Sequence, residues 1–453
     1  MKVSKPTRVF SEARLSLLAS LSGLPLTVWW LGWFPGFVSS DTIDQLGQAA
    51  SNQYFNHHPA IHTLLLDLSW SLLGSPGYLG LAQGVGLSVL LVVVARRLVR
   101  MGVNAWLVLG TVWLVSLLPA VGATTFALWK DVPFALGILW VFGELLLLAE
   151  EGSAAWARPW TLVRMGMALA LVWLFRHNGF LTVIPLLVIL GFVVRRRLLG
   201  TLAILAGIVI ATGSLLYPAL DVQPEGIEAS RVFIPDVAAV LVNRPESFSE
   251  AETALLERIA PLEIWRGAYR CDDSTQLAFH PAFDATQIDD DPGAFRRIVV
   301  AALVRAPAVV AGHRICASRY LFVPGTPVGG YLHRPPFEIS PNTLGIVRQP
   351  LSGIAYEVTR GVYVWAEAES RLWFTWSPAL PIVAALAGYG AVLARRGLRR
   401  WALPGLVLIV HTINVVATSP AHEFRYAFPL YLVAWMSLPL LIWTFSRFEK
   451  APD

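Results

Sequence analysis

Charge is what this sequence has least of. Only 14% of its 453 residues are Asp, Glu, Lys or Arg, against roughly 25% in soluble domains. The chain therefore lacks the polar surface it would need in water, which excludes a soluble enzyme and a disordered chain. Lysine is almost missing, confined to Lys2, Lys5, Lys130 and Lys450. A chain rich in alanine and arginine but poor in lysine suits a bacterial protein from a GC-rich genome. Two cysteines exclude a disulfide scaffold and a cysteine-rich metal protein. No internal repeat is visible, which argues against a transporter built from two similar halves, and no low-complexity segment occurs. The net charge of +5 is not a nucleic-acid signature, because its distribution has a better explanation.

What is abundant is apolar sequence, 55% by residue count. A helix needs about 20 residues to cross a hydrocarbon core. Hydropathy and the charges that interrupt it predict about ten spans, near 15–33, 77–98, 105–121, 132–148, 162–175, 180–194, 198–217, 372–393, 401–418 and 426–445. The expected fold is an all-α polytopic membrane protein. It divides into an N-terminal transmembrane module (1–217), a mixed extracytoplasmic insertion between the seventh and eighth spans (218–371), and a C-terminal module of three spans (372–453).

The insertion holds 19 of the 30 acids and 14 of the 35 basic residues, a net of −5, and the remainder carries +10. With the N-terminus inside, 18 of the remaining 21 basic residues fall on the cytoplasmic side, including Lys2, Lys5, Arg8, Arg195 to Arg197, Arg395 to Arg400 and Lys450. The positive-inside rule favours this orientation, with both termini cytoplasmic and the acidic insertion outside. The first apolar run exceeds the usual length of a removable signal core, so it reads as an uncleaved anchor. Residues 295–322 are apolar but carry a central Arg305 and Pro307, which predicts two amphipathic interfacial helices and no span.

Polar residues at membrane depth are costly, and function is the default explanation for them. Here they gather at the outward ends of separate spans. The first outer loop (34–76) carries Asp41, Asp44, Gln45, Gln48, His57 and His58; the third span leads to Lys130 and Asp131; the fifth to Arg176, His177 and Asn178; the ninth to His422, Glu423, Arg425 and Tyr426. Asp41, Asp44, Gln45 and Gln48 share one helical face by spacing, opposite Ile43, Leu46 and Ala50, which predicts a short helix lying on the bilayer. The plain alternative is that Asp41 is a helix cap answered by Asp44. His57-His58-Pro59 reads as a helix start, or as a histidine reaching a phosphate or hydroxyl. A divalent metal held by Asp41 or Asp44 with His57 or His58 is left open, since no ligand spacing specifies one.

Lys130, Arg176 and Arg425 break the orientation rule. They therefore want anionic partners, either carboxylates from other spans or a lipid phosphate, which guanidinium groups grip in bidentate fashion. Other signals are weaker. Asp284, Asp289, Asp290 and Asp291 read as capping and solvation, without an EF-hand pattern. Cys271 and Cys316 both fall outside, where a disulfide and two free thiols remain alternatives. Glu144 in the fourth span has no evident role beyond a bond to a neighbouring helix.

This layout resembles the GT-C superfamily of polytopic glycosyltransferases, which use lipid-phosphate sugars. The pattern is a first span, an outer loop with an acidic motif on a juxtamembrane helix, and His58-Pro59 opening a second surface helix. Further spans follow, down to Arg425-Tyr426. The resemblance implies that Asp41, or else Asp44, is the catalytic base, although this chain has D-x-x-D where many members have adjacent acids. It implies a polyprenyl-phosphate sugar as donor and a glycan, lipid or protein as acceptor, within the bacterial inner membrane and its lipids. The chemistry fits independently. A sugar on a lipid phosphate already has a good leaving group, the acceptor hydroxyl needs a base, and preorganised cations stabilise the departing phosphate. Lys130, Arg176, Arg425 and His58 are the expected phosphate ligands. Gln45, His57, Asp131, His177, Asn178, His422, Glu423 and Tyr426 are the further site candidates. A ligase or polymerase of lipid-linked glycans, a transporter or flippase, and a non-catalytic scaffold are the competing readings.

Overall fold

The computed structural model describes residues 12–224, 232–325 and 332–448. Lys2, Lys5, Arg8 and Lys450, used above for orientation, lie outside the described residues. The protein is all-α: six helices are long and apolar enough to cross a membrane, or up to nine if each of three bent helix pairs counts as one span. Among the described residues there is no strand, only isolated bridges.

The first apolar stretch comprises α1 (Glu12–Ser20) and α2 (Gly23–Trp33). It leads into α3 (Ser40–Ser51) and α4 (Ala60–Leu73), two shorter helices that precede the next long one. Asn52, in the left-handed conformation, ends α3 by returning its N–H to Ala49 and Gln48. Long α5 (Gly77–Arg100) places Arg97 and Arg100 in its last turn, where cations complement the helix dipole.

The expected span 105–121 is not one helix. It is divided into α6 (Ala105–Leu117) and α7 (Pro119–Thr125), bent by 62°. The cause is local: Leu118 precedes a proline and sits at φ −62°, ψ 126°, since the proline ring disfavours helical backbone before it. Next comes α8 (Asp131–Glu151), the central helix, in which nearly every side chain is buried. It packs against α5, against α9 (Pro159–Leu174) and against the C-terminal helix. Helix α10 (Phe180–Val194) and α11 (Leu198–Ile210) belong to one 40-residue apolar stretch. A 3-10 turn at Arg195–Arg197 interrupts it, with Arg195 at φ 53°.

Among its described residues the insertion is helical and not mixed. Ile234, Val237 and Leu241 recur at three- and four-residue spacing, which suits a helix and not a strand. They seat α12 (Ile234–Asn243) in a second hydrophobic core with Leu256, Trp265 and Phe295. The segment expected to lie on the surface forms α13 (Pro292–Arg305) and α14 (Pro307–Ala317), bent by 98° at Ala306-Pro307. Asp291 caps α13 by accepting from the Ala294 N–H at 2.8 Å, and Asp284 accepts from the Thr286 N–H at 3.0 Å. Both acids are spent on local structure, as the spacing suggests. Cys271 and Cys316 form a disulfide, with Cα atoms 5.8 Å apart.

Helix α15 (Gly353–Glu367) crosses the C-terminal end of α2, where a Cβ on Gly32 would come within 2.8 Å of the Ala355 backbone. The chain closes with α16 (Ala379–Ala394), α17 (Gly405–Thr418) and α18 (Phe424–Phe448). Glu144 proves to be the hub of a buried cluster. It accepts from Arg97 of α5 at 2.9 Å, Arg164 of α9 at 3.0 Å and Trp140 at 3.2 Å. Arginines read only as orientation charges are thus partners of the one acid buried in the apolar part of α8.

Candidate functional site

Two chain crossings assemble the site. Phe37 bridges to Ala127 in parallel, with Phe37 N–H donating to Phe126 O at 2.9 Å and Leu128 N–H to Phe37 O at 3.0 Å. This sets the start of α3 beside the loop that carries Trp129, Lys130 and Asp131. Gly36 makes the approach feasible: it sits at φ 127°, and a Cβ there would lie 2.7 Å from Phe126 O. The second crossing is at the head of α18. His333 N–H donates to His422 O at 2.8 Å and Phe424 N–H to His333 O at 3.0 Å, so the insertion grips the segment that delivers Glu423 and Arg425.

Asp41 is not a helix cap. The cap position is Ser39, whose Oγ accepts from Trp129 Nε1 at 2.9 Å. Asp41, in the first turn, is left to pair with Arg425, whose Nη1 donates to Oδ2 at 2.7 Å. The same guanidinium donates through Nε to Glu423 and lies 5.5 Å from the centre of the Trp129 ring. Glu423 is also 3.7 Å from His333 Nδ1, and the His333 ring stacks on Trp129 at 5.6 Å. Burial alone would raise the Asp41 carboxyl, but the charge and hydrogen bond of Arg425, together with His58 and Lys130, outweigh it and hold Asp41 well below the usual carboxylate range.

Lys130 and His58 contact each other through Nζ and Nδ1. Burial and the Lys130 charge push His58 down to about 2, so its neutral ring accepts from the ammonium. Burial also lowers Lys130, against the pull of Asp131 and Asp41. Arg176 pairs with Asp131 and donates through Nε to Asn178 at 3.1 Å. The Tyr426 ring lies between the two arginines, 4.6 Å from Arg176 and 5.2 Å from Arg425. Asp131 is 1% exposed and meets Arg176 through Oδ1.

Behind Arg176 a polar ladder runs down between α10 and α17. Asn178 donates to Thr418 at 2.8 Å, Asn414 donates to Thr182 at 2.9 Å, and Thr182 meets His411 Nδ1 at 3.0 Å. It fixes the side chain that orients Arg176. His177 Nε2 reaches the His57 carbonyl at 3.2 Å, and His57 and His58 have ring centres 4.5 Å apart.

Three expected members sit elsewhere. Asp44 is exposed and accepts from Gln48 at 2.9 Å. Gln45 is buried between α3 and α4, bonded to Thr63 at 3.0 Å and His62 at 3.1 Å; the expected common polar face of α3 is therefore split. His422 turns toward the insertion, its Nε2 on Cys316 O at 2.8 Å and its backbone N–H on Asp272 O at 2.9 Å. Trp129 and His333 are site residues the sequence reading missed. Neither Trp129, at the end of an apolar run, nor His333, within the insertion, carries a local signature. Among the described residues no group of three or more His, Cys, Asp or Glu side chains is arranged to hold a metal.

Residues 50–277 match DUF6020, described as a family of unknown function, and the chain belongs to that family. No curated protein and no solved structure matches the chain.

Proposed function

We propose that this protein is an inverting glycosyltransferase of the bacterial inner membrane, moving a sugar from a polyprenyl-phosphate donor to an extracytoplasmic glycan, lipid or protein acceptor. The observation that carries the reading is the Asp41–Arg425 pair beside Lys130 and Arg176. It sets Asp41, with Glu423 and Asp131, among the cations Arg425, Lys130 and Arg176 at the ends of apolar helices. In this proposal ten spans cross the membrane, counting the stretch around Arg195–Arg197 as two, including the shorter α9 and leaving α13 and α14 at the surface, with both termini cytoplasmic.

The resting pair is inactive by its own chemistry, because a carboxylate held by a guanidinium is a poor base. Asp41 holds Arg425 through one nitrogen, whereas a donor phosphate takes a guanidinium through two. As it takes the guanidinium, Asp41 loses the charge that depresses it and becomes basic enough to accept a proton. The acceptor hydroxyl then gives its proton to Asp41 while its oxygen bonds to the anomeric carbon. The bond from that carbon to the phosphate oxygen breaks, and its electron pair leaves on the lipid phosphate, stabilised by Arg425 and Lys130. Attack opposite the leaving group inverts the anomeric centre. The test is native mass spectrometry of gently solubilised protein. A retained polyprenyl monophosphate, with or without a sugar, supports the transferase, and a retained lipid diphosphate glycan moves the assignment to a ligase.

A second reading, transport or flipping of an envelope precursor, draws on the Glu144–Arg97–Arg164 cluster, because ionisable groups within apolar helices often line ion or substrate paths. It separates from the first by mutation: transport would stop on neutralising Glu144, whereas sugar transfer would not.

A further inference from the structure

Away from the site, α1, α2 and α5 enclose an elongated cleft of about 540 Å³, within the range of small-molecule sites. Its walls are apolar, with Leu24, Val85 and Val89 each more than half exposed. Its floor is made of small residues. A Cβ on Gly84 would fall 2.8 Å from the Phe126 ring, and one on Gly23 would lie 3.0 Å from Ser88 Oγ. Larger residues at these positions would fill the cleft or push the helices apart.

The two ends differ. Toward the outer surface the cleft is stopped by aromatics: Trp30 meets Phe34 edge-on at 5.8 Å and Tyr78 at 6.2 Å, and its Nε1 donates to Gly77 O at 2.9 Å. At the opposite end it reaches Arg96, about 22 Å away along α5 from Leu81. Arg96 and Arg100 both pair with Glu12, at 3.3 and 3.5 Å, so the three groups carry one net positive charge. Both arginine side chains are over a third exposed, yet Arg96 Nε is buried with no acceptor. An apolar channel closed at one end, with a surplus cation and an unanswered donor at the other, has the complementarity of a single-tailed anion entering from the arginine end.

We infer that this cleft holds one alkyl chain of an anionic phospholipid, with its phosphate at Arg96. In the proposed orientation that lipid belongs to the cytoplasmic leaflet. The site is separate from the Asp41 cluster and stands whether or not the protein transfers sugars.

The test reconstitutes the full chain in nanodiscs of equal phosphatidylglycerol and phosphatidylcholine, followed by native mass spectrometry at increasing activation. The wild type should keep one phosphatidylglycerol with at least fivefold preference. Val85→Trp, which fills the cleft, should lose the retained lipid of either kind. The double change Arg96→Gln with Arg100→Gln should keep a lipid but lose the preference. Leu24→Trp, on the other wall, repeats the cleft test should Val85→Trp fail to fold. Equal retention of both lipids by the wild type, or wild-type behaviour in the filled and neutralised variants, overturns the assignment.

Discussion

Arg425 donates to Asp41 at 2.7 Å across 384 residues of chain, so α3 and the last helix meet in one ion pair. Nothing local in either segment requires the other. The pair exists because the Phe37–Ala127 crossing fixes α3 and the His333–Glu423 crossing fixes the head of α18.

If Asp41 is the base, Asp41→Asn should lower transfer by roughly 10²–10⁴-fold, with thermal stability and donor retention close to wild type. Asp44→Asn should leave the rate near wild type, because Asp44 is exposed and accepts from Gln48 of its own helix at 2.9 Å. Initial rates with labelled donor in membrane vesicles check both; an inactive Asp44→Asn beside an active Asp41→Asn would exchange the roles.

Lys130→Ala should weaken polyprenyl-phosphate binding by roughly 10–100-fold, the size of a charge-assisted hydrogen bond. The readout is donor affinity and not the turnover of bound donor. Unchanged affinity would remove Lys130 from the phosphate site.

Much of this architecture is legible in the sequence. Apolar length places the long helices, Pro307 foretells the break between α13 and α14, and spacing foretells α3. What escapes is what only long-range contact decides. The face of α3 divides because Gln45 finds Thr63 and His62 on α4, a pairing that spacing within α3 cannot encode. Likewise Glu144 looks anomalous until Arg97 and Arg164 arrive from neighbouring helices, and His333 joins the site by a bridge from within the insertion.

Glu144→Gln should destabilise the fold by about 3–5 kcal/mol, since it leaves two arginines without their buried counter-charge. The effect should appear as a lower thermal midpoint in detergent, with turnover per folded molecule preserved at low temperature. Folded but inactive protein would favour the transport reading.

The disulfide should act on the site at a distance. Cys316 O accepts from His422, and Asp272, next to Cys271, accepts from the His422 N–H, so both halves of the bridge grip the turn before Arg425. Cys271→Ser with Cys316→Ser should increase hydrogen exchange at 421–424 and lower donor affinity. Unaltered exchange there would mean that the turn is held without the bridge.

A pH dependence should reside in the insertion. Burial raises Asp236 from an ordinary 3.8 to about 6 in spite of its pairing with Arg314; His313 and Tyr269 are the other titratable groups close by. The folded form thus holds this proton more tightly than the unfolded one. The resulting stabilisation is complete below about pH 4 and is lost as pH rises through about 6. Exchange protection of 234–243, corrected for intrinsic rates, should be higher at pH 5 than at pH 8, and Asp236→Asn should flatten the difference.

The most direct test of the central claim supplies polyprenyl-phosphate carrying a radiolabelled sugar to membrane vesicles containing wild-type or Asp41→Asn protein. The account predicts that wild-type vesicles move label from the lipid monophosphate into a second product with inverted anomeric configuration. The variant should bind the donor and leave the label in place. Wild-type rates in Asp41→Asn, or label that stays on the lipid in both, would contradict it.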